Sequence, residues 1–338
     1  VNPTRRLLPI IALSAASALV LAGCAGASPG GEESAGAGRL QVVASTNVYG
    51  QIAEEIGGDA VDVSSIITST GQDPHSFEAT AGHQLTVSRA DLIIENGGGY
   101  DSFMESLVES SDASAHVITA AEFSHDWPGN EHSDDEHSEE EHSDEEHAED
   151  DHAEDDHSGH DHIEGFNEHV WYDPHTIEHV AEAIAEELSE LDPANSETFE
   201  TNAAAFVEQI EGLEASLGEI EASDAGADVF VTEPVPVYLI AAAGLVNVTP
   251  EAFSEAVEEG QDVPPATLLE SLDLIESGTV RVVIANSQTG GAETTQVLEA
   301  AEGQNIPVLE FSETLPEGQT YISWMQQNIE ALSGALAG

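Results

Sequence analysis

The chain contains no lysine and only five arginines, Arg5, Arg6, Arg39, Arg89 and Arg281, among its 338 residues. Against them stand 67 aspartates and glutamates, which gives a formal charge of −62. With no cationic footprint for phosphates, nucleic acid is excluded as a partner. Docking on anionic lipid through a basic patch is excluded for the same reason. Cysteine is almost absent too. Cys24 stands alone, so no disulfide forms within the chain. The longest apolar run, residues 7–21, is short for a stable membrane span. Catalytic signatures are also missing: there is no HExxH, no nucleophile elbow and no catalytic base beside an open metal position. The chain is therefore not read as an enzyme. What remains is an apolar fraction of 40%, enough for real cores, and a surface whose natural small partners are cations.

The N-terminus reads as an export signal. Arg5 and Arg6 precede the apolar run, which ends in Leu21-Ala22-Gly23-Cys24. That order resembles the lipobox of bacterial lipoproteins, in which the peptide is cut before a cysteine that is then acylated. Cys24 is accordingly the expected lipidation site and the chain's membrane anchor. The small residues that follow form a tether with a reach of roughly 20 Å.

Beyond residue 39, apolar strands alternate with helical stretches. Strands are expected at 40–45, 61–67, 92–96 and 116–119, and again at 228–232, 280–285 and 306–311. Helices are expected at 48–56, 81–89, 101–109, 237–243, 264–277 and 292–302. This rhythm implies parallel βαβ units. Between the two sets lie helices at 174–191 and 193–222, the second opened by Asp192-Pro193 as cap and first-turn proline. The last helix carries an apolar stripe of Ile322, Met325, Ile329, Leu332 and Leu336. The fold class is thus α/β: two (β/α) lobes with parallel sheets, joined by a long rigid helix, with a cleft between them. The expected organisation is a signal over 1–23, a tether over 24–39, a lobe over 40–192, a linker helix over 193–222 and a lobe over 223–338.

The first lobe carries an acidic histidine tract at 124–163. His132, His137, His142, His147, His152 and His157 recur every five residues among Asp and Glu, flanked by His125, His160 and His162. A period of five fits neither a helix face nor a strand face, and the charge density opposes collapse. The tract is read as a disordered, solvated loop whose imidazoles and carboxylates bind several Zn2+ ions weakly.

Four side chains at strand ends form a separate candidate site. His75 lies in Asp73-Pro74-His75, after the second strand. His169 stands where the tract rejoins the folded body, shielded by Trp171 and Tyr172. Glu233 and Glu313 each follow a strand of the second lobe. Two neutral imidazoles and two carboxylates balance a divalent ion, and four protein ligands close its shell.

The segments DPHSFEAT (73–80), EHVWYDP (168–174), VTEPVPVYLIAAAGL (231–245) and IPVLEFSETLP (306–316) resemble the metal-receptor lipoproteins of zinc and manganese ABC importers, the ZnuA/TroA-like family. The resemblance implies two lobes around one metal and a role in capture for an ABC permease. It implies an extracytoplasmic, lipid-anchored, monomeric protein. It also assigns His75 and His169 as metal ligands, with the third ligand in 231–245 and the fourth in 311–316. Zinc members commonly place His at the third position, whereas Glu233 stands here as in manganese-type members. Glu313 replaces the usual Asp at the fourth. The ligand set thus leans to Mn2+ or Fe2+ and the tract to Zn2+; Zn2+ is taken as cargo, with Mn2+ as the alternative. A metal-buffering or adhesin role for the tract is the other reading. The glycine-rich Asn96–Asp101 stretch is read as a turn, His175 and His179 as a solvated pair, and His83 and His116 as structural.

Overall fold

The structure is a computed structural model and describes residues 38–111, 113–130, 163 and 165–338. The export signal, Cys24 and most of the tether lie outside the described residues, as do His132, His137, His142, His147, His152, His157, His160 and His162.

The first lobe is built on β1 (Leu40–Thr46), β2 (Val61–Ile67), β3 (Leu92–Glu95) and β4 (His116–Thr119), joined through α1 (Asn47–Gly57), α2 (Ala81–Val87) and α3 (Ser102–Ser111). Its strands are all parallel, in the order β2-β1-β3-β4. Two helices follow, α4 (Pro174–Leu191) and α5 (Ser196–Asp224). The second lobe repeats the plan with β5 (Asp228–Val231), α6 (Val237–Ala242), β6 (Val246–Asn247), α7 (Glu251–Glu258), α8 (Pro265–Glu276), β7 (Val282–Asn286), α9 (Ala292–Gln304) and β8 (Val308–Phe311). Its parallel order is β6-β5-β7-β8. The chain ends in α10 (Tyr321–Leu336). The expected two-lobed α/β architecture is the observed one.

Strand alternation sorts the cores. Val42, Ala44, Leu92 and Ile94 face one side of the first sheet, while Val43 and Ile93 face α2 and α3 through Val87, Met104 and Leu107. In the second sheet Val229, Val231, Val282 and Ile284 face inward. Phe230 and Val283 meet Phe253, Ile275 and Val297 on the outside. The inner faces of both sheets belong to a single hydrophobic core, completed by α1, α4, α5, α6 and α10.

Helix α5 is the spine of that core. Phe199, Ala203, Phe206, Ile210, Leu213, Leu217 and Ile220 form one buried stripe over its 29 residues, about 44 Å of helix. Asn202 Nδ2 ties it to the Ile56 carbonyl at 2.9 Å. The helix starts later than the Asp-Pro signal implies, with Asn195 in the capping position. Asp192 is spent on a turn instead: its carboxylate accepts from Ala194 N at 3.2 Å and Asn195 Nδ2 at 2.6 Å.

Two further departures matter for function. Residues 124–130, read as the start of the solvated tract, belong to the folded body: Ser124 is buried and Trp127 meets Phe166 edge to face at 5.2 Å. Asn130 Nδ2 fastens this stretch to the Ser124 carbonyl at 2.7 Å. The second lobe also holds β6 and α7, where the sequence pattern predicts no element.

Candidate metal centre

Each sheet reverses its winding beside its first strand, between β1 and β3 and between β5 and β7. Loops at the carboxyl ends of parallel strands gather at such a switch point. His75 follows β2, Tyr100 follows β3, Glu233 follows β5, Asn286 ends β7 and Glu313 follows β8.

Local hydrogen bonds set each of these side chains. Asp73 accepts from the His75 amide at 2.9 Å and from Ser76 Oγ at 2.7 Å, so the Asp-Pro turn fixes the backbone under His75. His169 directs Nδ1 at Asn167 Oδ1 at 2.8 Å. With an amide oxygen as acceptor, Nδ1 carries the proton and Nε2 the lone pair, the tautomer a metal needs. Asn167 is itself held from the second lobe, donating to the Pro234 carbonyl at 3.1 Å and accepting from Tyr238 Oη at 2.9 Å. The glycine turn that delivers Tyr100 is a true turn. Gly97, Gly98 and Gly99 all have positive φ, and Asp101 accepts from Asn96 N at 2.7 Å and Gly97 N at 2.8 Å. Gln288 Oε1 accepts from the Glu313 and Thr314 amides at 2.9 and 3.0 Å, steadying the loop after β8.

One donor atom from each of His75, His169 and Glu313 falls within 4.8 Å of the others. His75 is half-buried, while His169 and Glu313 are 1% exposed. Tyr100 and Trp171 wall the imidazoles, with ring centroids 5.0 Å from His75 and 5.1 Å from His169 respectively. Glu233 is not in that triad. Its carboxylate accepts from Thr289 Oγ1 and, at 2.8 Å, from Asn286 Nδ2. The same amide nitrogen donates to Glu313 Oε1 at 2.6 Å, so Asn286 holds the two carboxylates side by side. Tyr100 Oη donates to the other Glu313 oxygen at 3.2 Å.

A carboxylate that the sequence reading missed also enters the cleft. Glu258, the last residue of α7, lies 3.7 Å from His169 Nε2. It forms a second group with His75 and Glu168, again with donor atoms within 4.8 Å. Asn286 was legible by the strand-end argument, since it closes β7. Nothing in the local pattern around Glu258 marks it.

Burial sets the electrostatics. It pushes the Glu313 carboxyl up to about 8, with Glu233 beside it adding to the effect and the Asn286 hydrogen bond opposing it. Burial raises Glu258 as well, reinforced by Glu168, Glu233 and Glu313. It raises Glu233 against the bonds from Thr289 and Asn286. No lysine exists to offset these charges. The described arginines are all exposed, and Arg281 donates to the Leu336 carbonyl at 2.5 Å. A buried set of carboxylates with no cationic side chain among them fits an added cation.

The other flagged histidines lie elsewhere. His125 is exposed, 3.6 Å from an Asp173 oxygen. His83 accepts from Thr80 N at 3.2 Å and caps α2, the structural role expected of it. His116 meets Glu187 across β4 and α4. His175 and His179 stack edge to face at 4.8 Å on α4, beside Glu178 and Glu214.

The fold is thus two parallel α/β lobes, with imidazoles and carboxylates from both brought together near the strand ends. The chain belongs to the family described as zinc-uptake complex component A, periplasmic, whose profile matches residues 42–335. That is a transport-receptor family and not an enzyme class. The zinc-binding lipoprotein AdcA of Streptococcus pneumoniae serotype 4 is 26% identical over 302 residues, covering 87% of this chain and 55% of AdcA. The manganese-binding lipoprotein MntA of Halalkalibacterium halodurans is 26% identical over 197 residues, covering 58% of this chain and 54% of MntA. These alignments thus span about half the length of both relatives. Among solved structures, the periplasmic zinc-binding protein TroA from Treponema pallidum superposes with a TM-score of 0.65 at 19% identity. That match covers 88% of this chain and 99% of TroA, and it shows a shared fold. Among the described residues, no helix is long and apolar enough to cross a membrane.

Proposed function

We propose that this protein is the extracytoplasmic receptor of a metal importer. It captures one divalent cation on His75, His169 and Glu313 and passes it to an ABC permease. Glu233 joins as fourth ligand by leaving Thr289 when the cation arrives. Cys24 carries the lipid anchor, and the receptor works as a monomer. The observation that carries the reading is the convergence of two imidazoles and a carboxylate from both lobes on one point, in a chain with no lysine whose described arginines are all exposed.

Zn2+ is the cargo. Two imidazole nitrogens and carboxylate oxygens form a borderline donor set that zinc fills at four-coordination. The histidine tract adds weak sites that gather the same ion near the cleft. Mn2+ is the second reading, favoured by the carboxylates Glu233 and Glu313 and by the manganese-binding relative. The test is competition. The full chain is loaded in equimolar Zn2+ and Mn2+, desalted and measured by elemental analysis, then titrated by calorimetry. One tight Zn2+ per chain supports the reading. Tight binding that survives in His75→Ala and His169→Ala would transfer the function to the tract and make the protein a metal buffer.

A further inference from the structure

Glu258 comes from the second lobe and stands outside the four-ligand set. Its oxygen lies 3.7 Å from His169 Nε2, and within 4.8 Å of donor atoms on both His75 and Glu168. His75 therefore serves two groups at once. One pairs it with His169 and Glu313, the other with Glu168 and Glu258.

We propose that the cleft offers a divalent cation two adjoining positions sharing His75, an outer one on Glu168 and Glu258 and an inner one on His169 and Glu313, and that the outer one stages the ion on its way in and out. The proposal rests on the reading that the cleft binds a divalent cation, and deepens it.

Three observations support the order. Exposure falls from Glu258, whose side chain is 11% exposed, through Glu168 at 3% to His169 and Glu313 at 1%. Donor chemistry changes in the same direction. The outer group offers one nitrogen and two oxygens, a harder set that leaves water on the ion and exchanges quickly. The inner group offers two nitrogens and one oxygen, which hold zinc-like ions more firmly. Finally, His75 is common to both and only half-buried, so the ion exchanges partners around one imidazole without returning to bulk water. Two dications sharing that ring repel strongly, so the positions fill in turn.

The test is stopped-flow mixing of the full chain with Zn2+, followed by tryptophan fluorescence, since Trp171 lies 5.1 Å from His169. His169→Ala, which should silence the response, identifies the signal with the inner group. Release is read by mixing the loaded chain with excess chelator. Glu258→Gln should slow association and release alike, each by about five- to tenfold, leaving the equilibrium constant within about twofold. Glu259→Gln makes the same substitution at an exposed neighbour and should change neither rate. Unchanged rates in Glu258→Gln overturn the proposal. A fall in association alone also overturns it, because that is long-range attraction only. Faster release at unchanged association overturns it as well, because Glu258 would then be an ordinary ligand of the final site. Glu258→Asp keeps the carboxyl with a shorter reach and should slow both rates by about two- to fourfold. Rates equal to the parent in that variant overturn the proposal even where the glutamine variant fails to fold. If the parent chain itself does not respond to Zn2+, the receptor reading fails and takes this proposal with it.

Discussion

Replacing Glu313 with glutamine should make the metal-free protein more stable and its metal site worse. Glu313 is 1% exposed, and burial raises its carboxyl from 4.5 to about 8. A carboxyl raised in this way keeps its proton in the folded state after the unfolded chain has lost it. Stability therefore falls as pH rises from about 4.5 to about 8, and the loss is complete above the folded value. Glutamine carries no charge in either state and escapes this loss. Integrating over the window, Glu313→Gln gains about 1 kcal/mol at pH 5, about 3 at pH 7 and about 5 at pH 9. These are ceilings, since the bonds from Asn286 and Tyr100 weaken when the carboxylate becomes an amide. Zn2+ affinity should fall at least about a hundredfold, because an anionic ligand is lost. The assay is urea unfolding in chelator at three pH values, paired with calorimetric Zn2+ titration. A variant less stable than the parent at pH 9, or a gain that does not grow with pH, would refute the reasoning.

Other predictions follow from the same geometry. His75→Ala and His169→Ala should each lower Zn2+ affinity by at least about a hundredfold while leaving the circular dichroism spectrum unchanged, as calorimetry and spectroscopy together will tell. Zn2+ affinity should weaken steadily as pH falls below about 8, where the Glu313 carboxyl holds a proton that it must shed to bind, a trend measurable by chelator competition. Deleting residues 131–162, and not the anchored residues 124–130, should preserve the melting temperature and one tight ion while lowering total zinc in equilibrium dialysis. Gly97→Ala should cost about 2 kcal/mol or more and disturb Tyr100. Its φ is +73°, and an added methyl would sit 2.3 Å from Thr119 Cγ2; denaturant unfolding measures the loss.

The fold was legible because its signals are periodic. Apolar strands sorted by alternation, and α5 declared itself through the stripe from Phe199 to Ile220. Of the four candidate side chains, His75, Glu233 and Glu313 follow strands, whose carboxyl edges are where parallel sheets present function, whereas His169 leads into α4. Three of those four share one neighbourhood, and Glu233 reaches it through Asn286. What escaped the sequence was short or non-local. Strand β6 has two residues, too few for alternation to show. Helix α7 carries only Phe253 and Val257 as its apolar anchors, and Glu258 gains meaning from His169, far away in the chain. The tract's true root was hidden because Ser124 and Trp127 find their partners only in three dimensions.

The continuous interior beneath both sheets limits how an ion bound in the cleft could leave it. Prising the halves apart like jaws would bring Phe206, Leu213, Tyr321, Trp324 and Met325 into water. At roughly 2 kcal/mol for each such side chain, that state lies about 10 kcal/mol uphill and is visited by fewer than about one molecule in ten million. On the proposed function, a permease has a cheaper option: loosening the loops that carry His75 and Glu313 and the end of α7 that carries Glu258, while the helical spine behind them stays where it is.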